Sequence, residues 1–199
     1  MRRYFTFLVF IVISSATYCQ DYKKQIEGLD TAYAQGDYPL AKKIIDKIYP
    51  TAATVIKDDT VLVEFLSTCG SVYFQTSEYK KAGEYFKEAS LKALQKLGEK
   101  DYRYSLANFN LAACYKQEGR YPEAEPLFLQ SLPVLADAFG QSSIEYTRCF
   151  YTLASLYIEM AKFAEAESMC AVAVNRYKVV LGAASDDYLG ELGSMGVIY

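Results

Sequence analysis

The chain has 199 residues, of which 52% are hydrophobic and 23% charged, with five prolines and no histidine. That apolar content supports a continuous core, and a formal net charge of −3 argues against nucleic acid or anionic lipid as the main partner. Without histidine the chain lacks the commonest general base and a frequent metal ligand, so Ser-His and Cys-His nucleophilic catalysis are excluded and neither a metal nor a cofactor is expected.

Residues 1–19 read as an export signal. Arg2 and Arg3 give a positive start, Tyr4 to Ile13 are almost wholly apolar, and Ser14-Ser15-Ala16-Thr17-Tyr18-Cys19 is a short, mostly small-residue exit. The apolar run is too short to span a bilayer. Cleavage after Ala16 or after Cys19 fits, the latter leaving Gln20 as the preferred new end, while bulky Tyr18 disfavours lipid attachment at Cys19. Its loss leaves 19 basic against 24 acidic residues, or −5, and an exported chain, periplasmic or extracellular, with no transmembrane span expected.

Residues 20–58 predict a degenerate helix pair, in which Gly36-Asp37-Tyr38-Pro39-Leu40-Ala41 echoes a later stretch, Gly119 to Ala124. From residue 59 to 199 the chain repeats with a period of 42. Tyrosine recurs at Tyr73, Tyr115, Tyr157 and Tyr199, and again at Tyr104, Tyr146 and Tyr188. Small residues stand at Gly70, Ala112, Ala154 and Gly196, and alanine at Ala82, Ala124 and Ala166. Phe86, Phe128 and Cys170 follow those alanines, and each period closes with Gly98, Gly140 or Gly182. Units of about 62–103, 104–145 and 146–187 result, with a truncated one at 188–199.

Each unit predicts two antiparallel helices. Tyr104, Leu111 and Tyr115 share one helical stripe, and Ala124, Phe128 and Ser131 another. Between them Gly119 suits the end of the first helix and Pro122 the first turn of the second. Close approach requires small side chains at Ala112 and Ala124, with Tyr115 and Phe128 filling the flanking volume. Asp59, Asp101, Ser143 and Ser185 share the column that is expected to cap each first helix. Pro126 and Pro133 lie inside a second helix and are expected to bend it outward.

These columns resemble the tetratricopeptide repeat (TPR), whose units carry Leu-small, Tyr, Ala, Phe and Ala at matching offsets. The longer period, a second helix ending in Leu-Gly or Phe-Gly, and the stretch Arg120-Tyr121-Pro122-Glu123-Ala124-Glu125-Pro126-Leu127-Phe128 resemble the kinesin-light-chain type found widely in bacteria. The family's usual His-Pro-Asp is missing, and only Asn110 remains of its paired asparagines. The resemblance implies an all-α fold, a right-handed α-solenoid of antiparallel helix pairs in which first helices line a concave groove. A protein or peptide ligand is the implied partner, and the groove residues are Thr68, Ser71 and Gln75 in one unit, Phe109, Asn110 and Lys116 in the next, and Arg148, Tyr151, Thr152 and Ser155 in the third. Asn110 would hold a ligand backbone through its amide, while Phe109 and Tyr151 would supply apolar contacts.

Cys69, Cys114, Cys149 and Cys170 fall where this repeat packs its helices and read as small buried hydrophobes; Cys114 and Cys149 are the pair to test for a disulfide after export. No catalytic site is expected, since the glycines stand singly and the carboxylate pairs sit at helix starts. Tyr199 falls in mid-helix by phase, which reads as an N-terminal piece of a longer protein. The leading expectation is a non-catalytic scaffold binding a peptide or protein segment. The alternative is the sensing region of a longer enzyme, a CHAT caspase-like peptidase or a sensor kinase. Exposed repeat ends also suggest self-association.

Overall fold

In the computed structural model, which describes residues 22–181, the expected interruptions of the apolar pattern become turns between helices. Eight helices and no strand are found among these residues: α1 (22–34), α2 (Tyr38–Val55), α3 (Asp59–Gln75), α4 (Tyr79–Lys96), α5 (Tyr102–Gln117), α6 (Tyr121–Phe139), α7 (Ile144–Glu159) and α8 (Phe163–Leu181). The signal segment, Gly182, Ser185 and the truncated unit 188–199 lie outside the described residues. None of the described helices is long and apolar enough to cross a membrane.

The helices divide into two units between Leu97 and Gly98. In the first, α3 and α4 form a hairpin and α2 packs on α3. Its core holds Leu29, Ile45, Ile48, Phe65, Leu66, Tyr73 and Phe86, all essentially inaccessible to water. Gly70 explains how close the α3–α4 crossing is: a Cβ there would stand 2.7 Å from the Phe86 ring. In the second unit α5 pairs with α6 and α7 with α8, while α6 packs on α7. Ala112, Ala124, Phe128, Leu135, Leu153 and Leu156 fill its centre.

One backbone device ends each first helix. The amides of Glu78, Arg120 and Lys162 donate to the carbonyls of Tyr73, Tyr115 and Tyr157 at 2.9, 2.8 and 2.8 Å. Those of Ser77, Gly119 and Ala161 donate to Phe74, Lys116 and Ile158 at 3.0, 3.0 and 2.9 Å. This 6→1 plus 5→2 closure is the Schellman motif, and it requires a left-handed residue. Gly119 meets that need as expected (φ +73°), but Ser77 (φ +61°) and Ala161 (φ +57°) hold the same conformation with a Cβ. The α1–α2 turn closes identically through Asp37 to Ala32 and Gly36 to Tyr33.

Capping follows the sequence with one correction. Ser143 Oγ accepts from the Tyr146 amide (3.1 Å) and Asp101 Oδ1 from Arg103 (2.9 Å), as expected. On α3 the cap is Asp58, not Asp59: its Oδ1 accepts from Thr60 (2.8 Å) and Val61 (3.3 Å). Asp59 is the first helical residue, where its charge favours the helix N-terminus. Despite Pro126 and Pro133, α6 continues as one helix from Tyr121 to Phe139. Both prolines are exposed, as are Pro122 and Leu129, whose carbonyls lose their intrahelical donors, so the loss falls on the water-facing side.

Candidate functional site

The recurrent tyrosines are structural before they are functional. Tyr73 is buried, its hydroxyl accepts from Lys81 Nζ at 2.8 Å, and that ammonium lies 4.1 Å from the ring centroid. Arg120 covers Tyr115 at 4.0 Å and Lys162 covers Tyr157 at 5.1 Å. In each repeat, then, a cation from the hairpin turn or the second helix closes over the aromatic face that the Schellman turn brings to it.

On α3 the expected face holds Thr68 and Ser71, half-buried, and Gln75, exposed. Ser71 returns its hydroxyl to the Ser67 carbonyl (3.0 Å), and Thr68 donates to the Asp30 carboxylate on α1. Asp30 is held above its ordinary pKa, first by burial and then by the charge of Glu64, with the Thr68 bond opposing both. Among the described residues Gln75 makes no side-chain hydrogen bond and presents its amide to water.

On the second unit the structure separates the expected residues into three groups. Asn110 on α5 and Arg148, Thr152 and Ser155 on α7 keep exposed or half-exposed side chains. The Asn110 amide makes no hydrogen bond to any described residue, whereas Thr152 and Ser155 return their hydroxyls to the carbonyls of Arg148 and Thr152 at 2.9 and 2.8 Å. Phe109 is a correction: only 5% exposed, it packs edge-on against Phe128 with ring centroids 4.6 Å apart. Its column, one period before Tyr151, leans onto the second helix instead of into the groove. Tyr151 shows the same lean more weakly, half-buried against Ala173 and Tyr177, with burial raising its pKa.

Lys116 is the second correction. It is 9% exposed and its ammonium lies 2.9 Å from Glu159 on α7, so it ties two first helices together and is not a free ligand contact. The Tyr121 hydroxyl bonds to the same carboxylate, and Lys162 reaches Glu125 at 2.8 Å across the same junction. These inter-repeat pairs carried no sequence signal, because Lys116 and Glu159 stand in different columns of different repeats. Cys69, Cys114, Cys149 and Cys170 are free thiols, all buried as expected, and no disulfide joins Cys114 to Cys149. Burial pushes the Cys114 and Cys149 thiols up to about 12, far from nucleophilic.

The tetratricopeptide-repeat model matches residues 64–137 and 102–179, which together span more than half of the chain. The chain belongs to the tetratricopeptide-repeat family. No curated protein matches this TPR chain in sequence. Solved structures similar to it include BtubC (BKLC) from P. vanneervenii, at 17% identity and a TM-score of 0.71 over 94% of this chain and 81% of that one. A Podosopora anserina protein of kinesin-light-chain type, with nearly identical TPR-like repeats, is similar at 15% identity and a TM-score of 0.71, over 91% and 86% of the two chains. A substituted form of that Podosopora anserina protein is similar at 15% identity and a TM-score of 0.72, over 92% and 86%. At such identities the likeness establishes the fold alone, an all-α repeat solenoid whose relatives are of the kinesin-light-chain type that the long period implied. TPR repeats mediate protein–protein interaction.

Proposed function

We propose that this TPR chain is a non-catalytic scaffold that holds a peptide or protein segment along its first helices, with the α5–α7 face of the second unit as the principal contact. The carrying observation is Asn110. Its half-buried amide has both a donor and an acceptor unspent among the described residues. A ligand backbone presents the complementary pair, and Tyr151, Thr152 and Ser155 one repeat later supply a half-exposed rim of aromatic and hydroxyl groups. The Lys116–Glu159 pair holds α5 and α7 in register, so such a face would meet its ligand preformed. In this reading the chain works outside the cytoplasm, after loss of residues 1–19.

The test is selection of binders from a phage-displayed random peptide library, followed by titration calorimetry of a synthetic winner. Asn110→Ala is expected to weaken that peptide roughly five- to tenfold, the loss of one or two neutral hydrogen bonds, with helicity unchanged. A selected peptide that crosslinks to the α5–α7 face yet binds the wild type and Asn110→Ala equally would overturn the assignment.

A further inference from the structure

The second helices occupy equivalent places in their repeats yet differ sharply in charge. Together α2 and α4 carry eight lysines against Asp46, Glu84 and Glu88, whereas α6 carries Glu123, Glu125 and Asp137 and no base. Some of the lysines are satisfied. Lys42 pairs with Glu78, Lys96 lies 3.8 Å from Asp59, and Lys81 bonds to Tyr73. Lys43, Lys47, Lys80 and Lys87 are exposed and have no ion-pair partner among the described residues.

These four lie on the outer side of one unit. The Tyr49 hydroxyl on α2 donates to Glu88 on α4 at 2.7 Å and its ring meets Tyr85 edge-on at 5.0 Å, so the outer faces of the two helices touch through this side chain. Lys43 and Lys47 are one turn apart on α2, away from buried Ala41, Ile45 and Ile48. On α4, Lys80 and Lys87 are followed by Leu91 and Leu94, which are 49% and 41% exposed. Exposed Glu84 stands between Lys80 and Lys87, so the first half of the α4 outer face carries a net positive charge and the second half an apolar surface.

We infer that this α2–α4 face is a second docking surface, taking a partner-protein segment in which acidic residues are followed by apolar ones. Carboxylates meet the unpaired lysines and fix direction, and the apolar end covers Leu91 and Leu94. An anionic bilayer fits less well. A helix that lies on a membrane turns its whole apolar side to the lipid, and here that side of α4, through Ala82, Phe86, Ala89 and Ala93, is buried in the repeat core.

The experiment is fluorescence anisotropy with a labelled synthetic peptide of four glutamates followed by two leucines and a phenylalanine, titrated with the full chain at low and high salt. Expected are saturable binding that weakens with salt, a roughly tenfold loss for Lys80→Glu with Lys87→Glu, and a few-fold loss for Leu91→Ser with Leu94→Ser. Asn110→Ala is expected to bind this peptide like the wild type, which separates the face from the first-helix site. All substituted positions on this face are exposed, and unchanged far-UV circular dichroism confirms folding. The inference fails if binding is absent, is indifferent to lysine reversal, or weakens with Asn110→Ala. It also fails if the chain sediments with phosphatidylglycerol vesicles while leaving the peptide free.

Discussion

Adding one methyl group at Gly70 tests the helix crossing on which the fold depends. An alanine Cβ there would lie 2.7, 2.8 and 2.9 Å from three atoms of the Phe86 ring, whereas carbon atoms rest at about 3.5–4.0 Å. Phe86 is 2% exposed, so the ring cannot swing away without displacing its neighbours. Overpacking of this kind costs roughly 1–3 kcal/mol, and the better helix propensity of alanine returns about 1 kcal/mol, leaving a net loss of about 0–2 kcal/mol. Gly28 is the matched control. It too lies within a helix, but its nearest neighbour would be Ile44 Cδ1 at 3.8 Å, an ordinary contact. Gly28→Ala is therefore expected to stabilise by up to about 1 kcal/mol. Urea unfolding followed by far-UV circular dichroism measures both, and adding Phe86→Leu to Gly70→Ala should recover part of the loss as a coupling energy. A Gly70→Ala chain stabilised as much as Gly28→Ala would refute the close crossing, and with it the reason for a small-residue column.

Three further outcomes follow from the same geometry. Ala161→Gly should stabilise by about 0.5–1 kcal/mol, because the left-handed turn that Gly119 adopts freely is strained in alanine; a lowered melting temperature would count against it. The raised pKa of Asp30 means that the folded chain prefers the protonated carboxyl. That contribution is fully present below the unfolded pKa and is lost as pH rises through the folded one, so Asp30→Asn should stabilise at neutral pH and lose its advantage in acid, read from melting curves across pH. In a Cys19→Ser chain, the four buried thiols should stay unmodified by iodoacetamide near neutral pH until urea is added, and rapid native labelling of Cys114 or Cys149 would contradict their burial.

Helix pairing, hairpin turns and the small-residue column were legible because all three recur with the period, and repetition averages out the accidents of any one unit. What the columns hid is what differs between units. Phe109 stands one period after Ser67, whose hydroxyl simply returns to the Val63 carbonyl, so nothing in that column announced a ring packed on Phe128. Asp58 and Asp59 are adjacent acids, and only backbone geometry decides which one caps α3. Ser77 and Ala161 escaped notice as turn residues because the usual mark of a left-handed position is glycine. The candidate face was legible at Asn110, through the resemblance. The engagement of Lys116 was not, since it depends on a carboxylate contributed from the neighbouring repeat.

Because the hairpin after each first helix is closed by main-chain groups, the carbonyls of Tyr73, Tyr115 and Tyr157 receiving amides five residues on, its angle is insulated from the chemistry of nearby side chains. Residues on the outward faces can therefore be exchanged wholesale without reshaping the array. An engineer seeking new specificities could treat every repeat as a fixed bracket carrying replaceable fittings.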